Sequence, residues 1–244
     1  MKPFAWQAVF FIPIPLHERA ITMAVNKEVF QAISDELKGN GVTLVAVSKT
    51  KPVADILELY EHGQRDFGEN YVQELVDKAA QLPADIRWHF IGHLQSNKVK
   101  FIAPFVHLVH GVDSLKLLQE INKQAKKNNR IIDCLLQVYI AKEETKFGLD
   151  EQELEELVTQ LNHQPFANIR ICGLMGMASF TENMETVRSE FHYLKTLFEK
   201  LRISDAGLTT LSMGMSSDYS IAIEEGSTMV RIGSLLFGER RKTG

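Results

Sequence analysis

The chain has 244 residues, 45% of them hydrophobic and 24% charged. That is enough to bury the core of one large domain or two small ones, and it excludes a disordered chain, a collagen and a coiled coil. Twenty-seven basic against 31 acidic residues leave a net charge of −4, so bulk electrostatics give no ground for a nucleic-acid partner.

Residues 1–22 (MKPFAWQAVFFIPIPLHERAIT) set Lys2 before an apolar stretch, as a signal peptide does. Pro13 and Pro15 break that stretch, no small-residue cleavage site follows, and it is too short and interrupted to span a bilayer. It reads as an extension or an early start ahead of one domain over 23–244, and no other segment approaches a transmembrane span.

From there the chain alternates. A helix is expected over 24–39, with Phe30, Ile33 and Leu37 at helical spacing and Gly39 and Gly41 as the stop. VTLVAVS (42–48) reads as a buried strand, and Pro52 opens a helix that ends at Gly63. DFGEN (66–70) is a short strand and turn, 71–82 a helix, IRWHFIG (86–92) a strand and SNKVKFI (96–102) a short helix. FVHLVHGV (105–112) is a strand before a helix over 114–128, and IIDCLLQVYI (131–140) a strand before an acidic helix over 151–161. IRICGLMGM (169–177) precedes a helix over 184–201, TTLSMG (209–214) precedes one over 217–226, and MVRIG (229–233) is the last strand. Cys134 and Cys172 lie in two of these apolar runs; they are too few for a disulfide framework and read as core residues in a reducing compartment.

Eight strands, nearly all followed by a helix, have the spacing of βαβ units. Their near-continuous apolar character suits a parallel sheet covered on both faces. The fold expected is a single (β/α)8 TIM-type barrel, with a doubly wound open sheet as the alternative. Chemistry in such a barrel sits at the C-terminal ends of the strands. That rule selects residues 48–50, 68–70, 92–95, 175–179, 212–217 and 231–234.

Lys49 directly follows the first strand. A lysine partly desolvated at a barrel mouth favours the neutral amine that Schiff-base formation with an aldehyde needs; the plain alternative is a surface lysine, with Lys51 equally available. Ser212, Met215, Ser216 and Ser217 lie in the SMGMSSD loop before a helix start, where outward N–H groups and hydroxyls suit a phosphate, and Gly233 lets the backbone approach an anion. Ser216 or Ser217 serves equally as an N-cap, and Gly233 as a turn. Arg231 stands inside an apolar strand and needs either a carboxylate or a ligand. His89 and His93 have zinc-like spacing, but on a strand and turn rather than a helix, so His89 reads as a hydrogen-bonded core residue.

Six motifs add a resemblance. AVSKTKP (46–52), FGENYVQE (67–74), WHFIGHLQSNK (88–98), GLMGMA (173–178), SMGMSSDY (212–219) and STMVRIGSLLFG (227–238) together resemble the pyridoxal phosphate homeostasis protein family (YggS/PROSC-type PLP-binding proteins) over about residues 25–240. The resemblance implies a monomeric barrel similar to the N-terminal domain of alanine racemase and other fold-type III PLP proteins. It implies that Lys49 forms a Schiff base with pyridoxal 5′-phosphate (PLP) and that Arg231 faces the pyridine nitrogen. Ser216, Ser217 and Gly233 would hold the phosphate, with Met215 and Ser212 close by, and Asn70 would line the pocket. A permanent cation at the ring nitrogen disfavours its protonation and weakens the electron sink. The resemblance therefore implies a holder of PLP that passes it to apo-enzymes, and, with the net charge and hydropathy above, the expectation is a cytoplasmic protein with no nucleic-acid or membrane partner. A small PLP-dependent amino-acid racemase is the alternative, although the chain ends soon after its eighth strand, without the β-domain that completes a racemase site.

Overall fold

In a computed structural model, residues 25–141, 147–204 and 207–238 are described; the expected N-terminal extension over 1–22 lies outside them. α1 (Lys27–Gly39) leads into β1 (Thr43–Val47), α2 (Val53–Glu61), β2 (Asp66–Glu69), α3 (Val72–Ala79) and β3 (Arg87–Phe90). A 3-10 turn (Ser96–Lys98) runs into α4 (Val99–Ile102), followed by β4 (Leu108–Val112), α5 (Leu115–Lys127), β5 (Ile132–Gln137) and α6 (Glu151–His163). The chain closes with β6 (Ile169–Met175), α7 (Met184–Ser204), β7 (Thr210–Ser212), α8 (Tyr219–Glu224), β8 (Met229–Ile232) and α9 (Ser234–Phe237). All eight strands are parallel and pair in chain order, and β8 returns to β1 through Val45↔Arg231 and its neighbours. The barrel is therefore closed, as the alternation of strands and helices predicts, and the open sheet is excluded.

Local chemistry starts and stops the helices where the sequence indicates. The Asn26 side chain accepts from the Val29 N–H at 3.1 Å and caps α1, whose Phe30, Ile33 and Leu37 face inward. Asp150 and Glu153 form a reciprocal capping box at the start of α6. Pro52, whose fixed φ suits a helix start, stands at the N-cap of α2.

Side chains on a strand alternate between its faces, which divides the core in two. Outside the strands Phe67, Phe90, Phe191 and Phe198 are fully buried with the inner faces of the helices. Inside, Val45, Leu108, Leu135, Met175 and Met229 pack together with half-buried Cys172 and Met177. Cys134 is fully buried, as expected, but Cys172, packed against the inner cluster, is only half-buried. At the N-terminal end of the strands two bidentate pairs each bridge neighbouring strands, β2 to β3 and β5 to β6. Arg87 holds Asp66, with its Nε at 2.7 Å, and Arg170 holds Asp133 at 2.8 and 2.7 Å. Among the described residues no helix is long and apolar enough to cross a membrane.

Candidate ligand site at the C-terminal mouth

The C-terminal ends of the strands surround a cavity of about 470 Å³, a size typical of small-molecule sites. Lys49, Asn70, Met215, Ser216, Ser217, Arg231 and Gly233 all line it. The structure thus brings together seven of the eight residues selected from sequence. The eighth, Ser212, does not line it: it is fully buried, and its Oγ accepts from Arg231 Nη1 at 2.6 Å.

Arg231 is also buried, at 4% exposure. Its Nη1 donates to the Ser212 carbonyl as well (2.9 Å), and Nη2 to the Gly176 carbonyl (3.0 Å). Of the two partners open to it from sequence, a carboxylate is not the one: among the described residues none lies within ion-pairing distance. Burial lowers its pKa to about 10, against a smaller opposing effect of the Asp218 charge, so the guanidinium stays cationic at neutral pH. A buried cation neutralised by no contact partner, with one edge on a cavity, is poised for an electron-rich ligand atom.

The loop that carries Lys49 is held on both sides. Thr50, at φ +64°, sits in the left-handed region. Its N–H donates to Glu74 Oε1 at 2.6 Å. On the other side Lys78 Nζ donates to the Ser48 carbonyl (2.8 Å), Glu69 Oε1 (2.8 Å) and Glu74 Oε1 (2.6 Å), which uses all three of its protons. Ser48 Oγ donates to the same Glu69 oxygen at 2.6 Å. Burial raises the Glu69 pKa, and Lys78 opposes the rise. Lys51, the other lysine of the loop, donates to the Phe237 and Gly238 carbonyls at 2.6 and 3.0 Å. It therefore secures the end of α9.

On the same cavity, the β7–α8 loop turns at Gly214, whose φ of +95° and close approach to Ala222 (2.6 Å for an added Cβ) admit only glycine. Asp218 accepts from the Met215 N–H at 2.6 Å. The helix begins at Tyr219, so neither Ser216 nor Ser217 is its N-cap. Ser216 Oγ instead accepts from the Gly233 N–H at 3.2 Å, across to β8. Asn70 Oδ1 is buried with no hydrogen-bond partner. That is the kind of orphan atom a bound ligand satisfies.

His89 and His93 do not share a site. His93 stacks on Phe147 at 4.5 Å, whereas His89 is buried inside the barrel between Asp66 and His110. The sequence reading missed Lys78 and Glu69 as supports of the lysine loop. One signal was available, a lysine (Lys78) on the same helical stripe as buried Leu75.

Residues 24–241 match the alanine racemase N-terminal domain family. A protein of Aquifex aeolicus (strain VF5) named pyridoxal phosphate homeostasis protein is 45% identical over 204 residues, 83% of this chain and 89% of its own length. The solved structure of PipY from Synechococcus elongatus PCC7942, with PLP bound, has a TM-score of 0.79 at 36% identity, covering 86% of this chain and 99% of that one. An alanine racemase of Clostridium difficile 630 has a TM-score of 0.68 at 15% identity, a likeness of fold alone. On these matches the chain belongs to the alanine racemase N-terminal domain family and, within it, to the pyridoxal phosphate homeostasis proteins.

Proposed function

We propose that this protein binds PLP in the cavity at the barrel mouth, through a Schiff base on Lys49, and takes part in intracellular PLP homeostasis. The single observation that carries the reading is Arg231: a buried guanidinium, neutralised by no carboxylate among the described residues, on the wall of the cavity that also holds Lys49. The name of the Aquifex relative and the PLP bound to PipY support it. PLP supplies an aldehyde, a phosphate dianion and a pyridine nitrogen. The residues present fit all three.

Lys49 Nζ would add to the aldehyde carbon with loss of one water, and water or a second amine would reverse the step. Ser216 and Ser217 would donate to the phosphate, with Gly233 holding the Ser216 hydroxyl through its N–H and the Met215 backbone fixed beside them by Asp218. Asn70 offers its unsatisfied Oδ1 to the ligand. Ser212 acts through Arg231 by holding the guanidinium in place. Arg231 keeps the ring nitrogen unprotonated, so carbanion chemistry is poorly assisted. That favours holding the aldehyde over transforming an amino acid. Release by exchange with an amine suits a monomeric cytoplasmic carrier that supplies apo-enzymes, and the unpaired Cys134 and Cys172 accord with a reducing compartment.

The test is the absorption spectrum of the purified protein with added PLP, followed by mixing with a PLP-dependent apo-enzyme. A Schiff-base band in wild type, its loss in Lys49→Ala and recovery of apo-enzyme activity are expected. A protein that neither develops the band nor restores the apo-enzyme contradicts the reading. Solvent-deuterium exchange at Cα of amino acids, compared with PLP alone, separates holder from racemase: no excess exchange is expected.

A further inference from the structure

Arg231 does not end its hydrogen bonds at Ser212. Ser212 Oγ lies 3.2 Å from His110 Nδ1, His110 Nε2 lies 2.9 Å from His89 Nδ1, and His89 Nε2 lies 3.0 Å from Asp66 Oδ1. His110 is on β4 and Ser212 on β7, so this contact crosses the barrel interior. The line runs from the ligand cavity to the opposite, N-terminal end of the strands, and His89, His110 and Ser212 are buried to 1% exposure or less.

Its polarity follows from what each group can donate. Arg231 has no acceptor, so Ser212 Oγ accepts from it. The Ser212 hydroxyl proton has one other group in reach among the described residues, His110 Nδ1. His110 then carries its proton on Nε2 and donates it to His89 Nδ1, and His89 carries its proton on Nε2 and donates it to the Asp66 carboxylate. The reverse order would bury a serine hydroxyl proton with no acceptor, at a cost of about 1–3 kcal/mol. Burial, and after it the Arg231 charge, also hold His110 neutral. Asp66 and His107 bring ligand-type atoms within 4.8 Å of His89, but Arg87 occupies both Asp66 oxygens. The carboxylate therefore ends a proton-donor line and is not open to a metal ion.

We propose that His110 and His89 are positioning residues which, with Ser212, form a one-way hydrogen-bond line from Arg231 to Asp66 and thereby set how strongly Arg231 withdraws charge from the ring nitrogen of the bound ligand. The existence and direction of the line rest on this structure alone; its action on the ligand rests on the PLP reading above. A carboxylate-terminated chain polarises Ser212 Oγ into a better acceptor. The better acceptor takes up part of the guanidinium charge. Breaking the line leaves a harder cation at the ring nitrogen, which disfavours the protonated Schiff base.

Two measurements test this. Nitrogen-15 NMR of the imidazole rings in the full chain, with and without PLP, is expected to show the shared ring protons on Nε2 of both His110 and His89. A proton on His110 Nδ1, or a doubly protonated His110, overturns the line whether or not PLP binds. Among variants, His110→Phe cuts the line, whereas His110→Gln keeps one donor and one acceptor. The titration midpoint of the Schiff-base band is expected to fall in His110→Phe and to return towards wild type in His110→Gln. A midpoint unchanged or raised in a folded His110→Phe overturns the coupling. The groups that face His110 are His89, in hydrogen-bond contact, His107 and Arg231. A wild type with no Schiff-base band overturns the PLP reading and the coupling together, while the ring tautomers still decide the line.

Discussion

Arg231 gives the site its polarity because its hydrogen bonds are met by neutral oxygens: two carbonyls and the Ser212 hydroxyl. Replacing it with glutamine leaves a shorter side chain facing three buried acceptors, and the expected loss is roughly 2–4 kcal/mol, read as a lowered denaturation midpoint together with weaker PLP retention. Lys49 and Arg231 stood out in the sequence as cations next to or within an apolar strand, but a surface lysine and a structural ion pair fitted the same placement, and only the motif resemblance singled them out. Ser212 was legible as polar but not as a support, because residue type cannot tell the cavity wall from the layer behind it. His110 gave no sequence signal: its partners lie 21 and 102 positions away, and only closure of the barrel brings them together.

The loop after β1 owes its shape to α3 more than to its own sequence. Lys78 reaches back from that helix to the Ser48 carbonyl, and Glu74 accepts the Thr50 N–H. Lys78→Met would leave the buried Glu69 carboxylate without its cation, a loss of roughly 3–5 kcal/mol. The variant should show a lower denaturation midpoint and, where it still folds, faster loss of PLP to a trapping amine. Gly214→Ala would force a β-carbon against Ala222 in a left-handed backbone. Weaker PLP binding with an intact Lys49 Schiff base is expected, measured as a raised dissociation constant. Strand positions were readable as apolar runs, yet several runs proved longer than the strands: 131–140 contributes only Ile132–Gln137 and 209–214 only Thr210–Ser212. The run of apolar residues continues into the loop at the mouth, where Met177 and Met215 line the cavity, and hydrophobicity does not distinguish lining from pairing. α9 is four residues long, too short for helical periodicity to register.

The barrel has the Asp66–Arg87 and Asp133–Arg170 pairs at its lower end and its ligand groups at its upper end, with the histidine line between. This arrangement makes stability depend on pH in two windows. His110 is held neutral in the fold, with its pKa well below 6.5, while the unfolded chain takes up its proton near pH 6.5. Stability should therefore decline as pH falls below about 6.5. Burial opposes the charge on Asp66, but hydrogen bonds from His89 and Arg87 outweigh it and lower the carboxyl to about 2. Its contribution, about 2 kcal/mol, is present above pH 4 and lost as pH falls towards 2. Denaturation midpoints from pH 8 to pH 3 should show both declines, and His110→Phe should remove the first. The measurement that bears most directly on the whole account is borohydride reduction of the PLP-loaded protein followed by peptide mass mapping. The pyridoxyl label is expected on Lys49 and not on Lys51, whose ammonium the end of α9 holds. Label on Lys51, or none on either lysine, would contradict the assignment of this cavity.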